Sequence, residues 1–192
     1  MGTIVVSENI TLDGVMQDPT GEEGTSTGGW FTRIPPTDFE AWSQLEVAEA
    51  EQASALLLGG RTYRWFAERW QERDGAWADR LRELPKYVVS ATLDELSWDT
   101  SSVLTGDAEK SVAELKEQVS GEIVVYGSGD LVQTLMGHGL VDELRVTVYP
   151  SVVGGGDRLF RDAGGSTSWR LVDTRRLGES LAFLTYRPAR DA

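Results

Sequence analysis

The chain has no cysteine and a single histidine, His138, among its 192 residues. Without cysteine there is no disulfide, no thiolate nucleophile and no zinc–thiolate site. One histidine is too few for a metal centre, and the acids show no EF-hand spacing, so no metal is expected. Long apolar runs are also missing, and nothing approaches the ~18 residues that span a bilayer. The opening Met1-Gly-Thr-Ile-Val-Val-Ser7 lacks the basic and apolar segments of a secretion signal. Positive charge is scarce: 18 Lys and Arg against 31 Asp and Glu leave a net −13. That balance excludes a nucleic-acid surface and attraction to anionic membranes. It does not exclude a phosphorylated cofactor, because local arginines and backbone amides can override the global sign. Together these absences fit a soluble protein of the reducing cytoplasm.

The residues that are present describe an ordinary globular chain, 40% hydrophobic and 26% charged, long enough for one domain over 1–192. Thr3 to Ser7 reads as an opening strand, and Asp13-Gly14 as a turn. Asp18 to Gly29 holds four glycines in polar company and reads as a mobile surface loop. Thr37-Asp38-Phe39-Glu40 matches a capping box, with Phe39, Trp42, Leu45 and Ala48 following at near-helical spacing. Ala53 to Leu58, Lys86 to Ser90, Ile123 to Tyr126 and Leu144 to Tyr149 read as strands. Thr62 to Trp70, Ala76 to Leu84, Ala108 to Val119 (capped by Asp107) and Leu131 to Met136 read as helices. Trp169 to Arg176 and Ser180 to Arg187 form a closing hairpin around Gly178. Strands alternating with helices, then a β-rich end, predict an α/β domain. Its sheet is mostly parallel, with an antiparallel C-terminal edge.

Three strands end in residues suited to phosphate. Leu58 runs into Gly59-Gly60-Arg61-Thr62, Val89 into Ser90-Ala91-Thr92, and Tyr126 into Gly127-Ser128-Gly129-Asp130-Leu131. The first supplies glycine amides, a guanidinium and a hydroxyl; the second, two hydroxyls; the third, a helix N-terminus. Any one of them taken singly is more simply a plain turn or cap. At successive strand ends of one sheet they favour a nucleotide. A Rossmann dehydrogenase is disfavoured, because the glycine motif lies late and has Val132 where a third glycine belongs. Gly154-Gly155-Gly156-Asp157 is a bend or bulge rather than a second phosphate loop, since no helix follows it.

This order of pieces resembles the dihydrofolate reductase-like superfamily. Within it, the chain is similar to the reductase domain at the C-terminus of the riboflavin-biosynthesis deaminase–reductase and its stand-alone bacterial relatives. The resemblance rests on Ser7 with Leu12-Asp13-Gly14-Val15, Leu57 to Tyr63, Lys86 to Ser90, Val125 to Leu131, Asp142-Glu143-Leu144 and Pro150 to Phe160. It implies a three-layer α/β/α fold, NADPH as hydride donor, a homodimer and a small pyrimidine- or pterin-like substrate. By position Gly59, Gly60, Arg61, Thr62, Gly127, Ser128, Gly129, Asp130 and Leu131 would hold the cofactor's phosphates. Ser90 and Thr92 would lie near the adenosine 2′-phosphate, and Ser7 with the Asp13 loop would border nicotinamide and substrate. The family often has a basic residue where this chain has Gly60, which leaves Arg61 to carry the phosphate charge.

Dihydrofolate reductases place an acid on the first helix, and the equivalent position here falls near Ser43. Asp38 is the nearest candidate acid, though a first-turn acid also suits the helix dipole. Trp30 and Trp42, with Phe31, could line a flat substrate pocket or simply pack. His138 reads as an exposed helix-end residue. The leading expectation is therefore an NADPH-dependent reductase resembling 5-amino-6-(5-phosphoribosylamino)uracil reductase. A non-catalytic nucleotide-binding module on the same fold is the alternative.

Overall fold

The structure is a computed structural model of the chain, and it describes residues 1–93, 95–161 and 166–189. In chain order its elements are β1 (Thr3–Thr11), α1 (Pro36–Gln52), β2 (Ala53–Gly59), α2 (Gly60–Trp70), α3 (Ala76–Glu83), β3 (Lys86–Val89) and β4 (Ser101–Leu104). They continue with α4 (Ala108–Gln118), β5 (Glu122–Tyr126), α5 (Gly129–Gly137), β6 (Glu143–Tyr149), β7 (Trp169–Leu177) and β8 (Leu181–Pro188). The eight strands run in the order β4-β3-β2-β5-β1-β6-β8-β7. The β4–β3–β2–β5 portion is parallel and the β6–β8–β7 portion antiparallel, as the sequence pattern predicts. No helix among the described residues is long and apolar enough to cross a membrane.

Two compact units divide the chain, each assembled from two stretches of sequence. The first comprises Met1–Val6 and Leu45–Asp142. The second comprises Ser7–Gln44 and the described residues from Glu143 onward.

In the first unit, β2 supplies Leu56 and Leu58, β3 Val88, and β5 Val124 and Tyr126, all buried. Tyr63, Phe66 and Ala67 of α2 and Leu81 of α3 pack into the same core. Asp107 caps α4 as expected, accepting from the Lys110 amide at 3.1 Å. Strand β4 escapes sequence reading because Ser101-Ser102-Val103-Leu104 holds too short an apolar run. It exists because its backbone pairs with β3, from Lys86↔Ser101 to Val89↔Leu104.

In the second unit the β7–β8 hairpin turns at Gly178, whose φ of 59° favours glycine. Trp30, Phe31, Phe39, Trp42 and Tyr149 form an aromatic cluster with centroids 4.7–6.0 Å apart. The expected capping box is replaced by a proline start. The helix begins at Pro36, where the missing N–H costs nothing, so Thr37 already lies inside the first turn. Its hydroxyl reaches Glu179 Oε1 at 3.5 Å instead. The Asp18 to Gly29 loop is exposed at Gly21 to Gly24 but tied inside. Buried Asp18, at φ 47°, accepts from the amides of Glu23 and Thr25 at 3.0 and 2.9 Å and from the Thr25 hydroxyl at 2.8 Å.

Two buried lysines of the first unit set its energetics. Lys116 meets Asp142 at 2.6 Å, and the same carboxylate accepts from the Ile4 amide at 2.8 Å. Asp142 is 38% exposed, so water softens the loss of the pair. We expect Asp142→Ala to destabilise the protein by about 2 kcal/mol in urea denaturation, with Lys116 left uncompensated. Among the described residues Lys86 joins no ion pair. Its ammonium donates to Leu84 O and Thr100 Oγ1, both at 2.8 Å, and lies 4.3 Å from the Trp98 ring centroid. Burial lowers it from the ordinary 10.5 to about 8. Between those values the unfolded chain holds a proton that the folded chain has released, so this group's contribution to stability grows as pH rises. The stability difference between wild type and Lys86→Met should therefore shift toward wild type from pH 7.5 to 10.5, by up to about 3 kcal/mol. A pH-independent difference in urea midpoints would contradict this.

Candidate nucleotide site

Strands β3, β2 and β5 lie side by side and parallel, so their carboxyl ends open toward the same edge of the first unit. That adjacency brings together turns far apart in sequence. Ser128 fastens two of them. Its amide donates to Thr62 Oγ1 at 2.9 Å, and its hydroxyl accepts from the Gly59 amide at 2.9 Å while donating to Tyr126 O at 3.0 Å. Gly127 and Ser128 both have positive φ, 57° and 59°. A Cβ on Gly127 would also stand 3.1 Å from the Thr62 methyl. The third turn packs closely too: a Cβ on Gly60 would stand 2.7 Å from Ser90 Oγ. With Ser90 in this place, the contact favours glycine at position 60.

These turns enclose a cleft of about 260 Å³ lined by Gly59, Gly60, Arg61, Thr62, Val89, Ala108, Ser128, Gly129, Asp130, Leu131 and Thr134. Two helices begin here, α2 after Gly59 and α5 after Ser128, and neither has a side-chain cap. Their first amides are thus open to a ligand, with the positive ends of two helix dipoles behind them. Arg61 is exposed on the lining and joins no ion pair among the described residues. Asp130, also exposed, adds an acid to the α5 first turn. Amides, one guanidinium and a threonine hydroxyl are a donor set that fits a phosphate or pyrophosphate.

Of the residues expected at the cofactor, Gly59, Gly60, Arg61, Thr62, Ser128, Gly129, Asp130 and Leu131 line this cleft. Gly127 and Ser90 stand behind the lining, against Thr62 and Gly60. Thr92 is exposed, its amide donating to Ser90 Oγ at 3.3 Å. Ser7 is buried on β1 and belongs to the second unit. Val89, Ala108 and Thr134 were not anticipated. Ala108 had a signal, as the first residue after the Asp107 cap; Thr134 lies one turn beyond Asp130 and carried none.

Near the cleft, Tyr126 ends β5 with a buried hydroxyl. Burial, with the charges of Glu49 and Glu46, pushes it well above its usual range, so it keeps its proton. Those two buried acids of α1 were also missed, because polar residues within a helix read as its solvent face.

The remaining expected residues lie in the second unit. Asp38 is fully buried and accepts from the Glu179 and Ser180 amides and the Ser180 hydroxyl. Burial pushes its carboxyl up, but these bonds and the Arg176 charge outweigh that and hold it below the usual range. Asp13 accepts from the Thr11 hydroxyl at 2.6 Å, the Gly154 amide at 2.8 Å and the Val153 amide at 3.2 Å, and is lowered to about 2. The Gly154 loop thus binds a carboxylate of its own chain. Trp30 is fully buried with its indole on Gln17 O at 3.1 Å, and Trp42 donates to Asn9 Oδ1 at 3.0 Å. His138 ends α5, its Nδ1 3.0 Å from Glu109.

Ser128→Ala would leave the Gly59 amide and the Tyr126 carbonyl without their partner. A loss of about 1–3 kcal/mol in stability is expected. It should appear in chemical denaturation as a lower midpoint with an unchanged slope.

Comparison with solved structures gives the fold independently. A candidate riboflavin biosynthesis protein from Shewanella sp. PV-4 superposes with a TM-score of 0.75 at 23% identity, covering 98% of this chain and 99% of the other. A pyrimidine reductase-like protein from Corynebacterium diphtheriae gives 0.61 at 16% identity, over 98% and 92%. Dihydrofolate reductase from Enterococcus faecalis, solved with NADP(H) and RAB-propyl, gives 0.60 at 16% identity, over 98% and 97%. At such identities the likeness is one of fold, and it is the dihydrofolate reductase-like fold. The sequence match is more specific: the model of the RibD C-terminal domain aligns with residues 2–183, and the chain belongs to that family.

Proposed function

We propose that the protein is an NADPH-dependent reductase that delivers a hydride to a small pyrimidine- or pterin-like heterocycle. The observation that carries this reading is the pair of uncapped helix N-termini facing one cleft beside Arg61. Family membership and the reductase fold support it. Bound NADPH would supply the hydride. The chain's residues bind and orient: the amides of Gly60 to Thr62 and Gly129 to Leu131 take the pyrophosphate, Arg61 neutralises phosphate charge, and Ser90 with Thr92 borders the 2′-phosphate. Ser7, Asp13, Trp30 and Trp42 are assigned to the nicotinamide and substrate side. On this reading Asp38 holds the β7–β8 turn and has no proton to give near neutral pH, so the proton comes from water or the substrate. The reading includes a homodimer in the cytoplasm. Because Asp38 is committed to the hairpin, a nucleotide-binding module without turnover is the second reading.

Titration with NADPH and NADH, followed by tryptophan fluorescence and energy transfer to the nicotinamide, tests this. NADPH should bind more tightly, and Arg61→Ala should weaken it by about tenfold or more, ~1.4 kcal/mol. Wild-type affinity in Arg61→Ala, or no binding of either nucleotide, would sink the cofactor assignment. Binding with no oxidation of NADPH across a panel of pyrimidines and pterins would favour the second reading.

A further inference from the structure

Cysteine is absent, so tryptophan and tyrosine are the side chains of this protein that give up one electron most readily. In the first unit three of them stand in a row. The Trp70 and Trp77 rings meet edge-on with centroids 4.4 Å apart, and the Trp77 and Tyr126 rings follow edge-on at 5.9 Å. The row runs inward: Trp70 and Trp77 are half-buried, and Tyr126 is buried at the end of β5. Core packing accounts for touching rings. It does not account for two further observations. The first concerns polar atoms. The Trp70 and Trp77 indole nitrogens and the Tyr126 hydroxyl are sealed from water, and none completes a regular hydrogen bond among the described residues. Tyr126 still lies near enough to Trp77 and Glu49 for both to shift its acidity. Buried groups left this way call for a reason, and a redox role is one. The second concerns charge along the row. At the outer end the Arg73 guanidinium lies 4.4 Å from the Trp70 ring centroid. At the inner end the buried carboxylates Glu49 and Glu46 act on Tyr126. A positive charge created on these rings is therefore driven inward, away from Arg73 and toward the carboxylates.

We propose that Trp70, Trp77 and Tyr126 form a one-electron relay that carries an oxidising equivalent from the surface to Tyr126. A one-electron oxidant in solution takes an electron from Trp70. Trp77 refills Trp70, and Tyr126 refills Trp77. As Tyr126 gives up its electron, its hydroxyl proton passes to the Glu49 carboxylate. A neutral tyrosyl radical and a neutral carboxylic acid remain. A soluble one-electron reductant such as ascorbate then returns an electron along the same rings, and the proton comes back from Glu49. The gain is protection. A tryptophan radical cation at the surface is open to water and oxygen and goes on to permanent damage. A tyrosyl radical sealed in the core waits for a reductant. The relay stands apart from the nucleotide reading, since none of its three rings lines the cleft.

Flash photolysis tests it. A ruthenium tris-bipyridyl photosensitiser with a cobalt(III) quencher generates the oxidant in the protein solution. Wild type should show a tyrosyl radical by transient absorption and by electron paramagnetic resonance. Tyr126→Phe, which removes only the hydroxyl, should lose most of that signal and hold a tryptophan radical instead. Glu49→Gln keeps the rings without the proton acceptor and should behave in the same way. Trp70→Phe, at the surface end, should slow formation of the tyrosyl radical. Over many flashes with ascorbate present, Tyr126→Phe should lose tryptophan fluorescence faster than wild type. A tyrosyl signal that survives Tyr126→Phe would come from another of the five tyrosines and overturn the relay. Wild type with tryptophan radicals alone, or a tyrosyl signal unchanged in both Glu49→Gln and Trp70→Phe, would overturn it as well.

Discussion

Ser128 joins turns separated by 66 and 69 residues of sequence, and the architecture of the cleft depends on how its hydroxyl is used. A serine at this place ordinarily turns its oxygen onto an amide of its own helix. Here the oxygen accepts from Gly59 across the turn and donates to Tyr126 behind it, so the first amides of α5 stay uncapped. The left-handed pair Gly127–Ser128 sets that geometry, and Thr62 fixes it from the α2 side by accepting from the Ser128 amide. Withholding one local hydrogen bond thus keeps a helix N-terminus open, and the same atom holds a second open helix N-terminus beside it.

The second unit is organised by carboxylates used inward. Asp13, Asp18 and Asp38 each gather backbone amides and a hydroxyl, and all three are held below their usual range. For Asp18 and Asp38 burial works against ionisation and the hydrogen bonds prevail. The acidic composition is therefore more than a solvated surface. Some acids are the hubs of loops that lack regular structure, and those loops should loosen at low pH as the hubs take up protons.

Much of this was legible in the sequence, for identifiable reasons. Apolar runs such as Ala53 to Leu58 and Ile123 to Tyr126 read as buried strands, and Asp107 marked a helix boundary. The glycines of the strand ends identified most of the cleft because an open helix end needs that local chemistry. Strand β4 and the far half of β1 were hidden: one is a short serine-rich edge, the other carries Ser7, Glu8 and Asn9. Thr37 to Glu40 carried the letters of a capping box, but Pro36 began the helix two residues before the Asp38 start that box implies. Asp38 carried the signal of a helix acid, whereas its partners, Glu179 and Ser180, lie more than 140 residues away where no local pattern could reveal them.

Each unit is built from two stretches of chain, and each interrupts the other. This has a consequence for synthesis. The first unit can close only after Asp142 has left the ribosome, so β1 must wait through most of the chain. The second waits longer still, with Ser7–Gln44 made early and its β6–β8–β7 ladder made last. Neither unit can fold as it emerges, from its N-terminal end forward, because each needs a later stretch of chain to complete its core. For such a chain, nascent-chain chaperoning bears on yield more than the stability of any early segment.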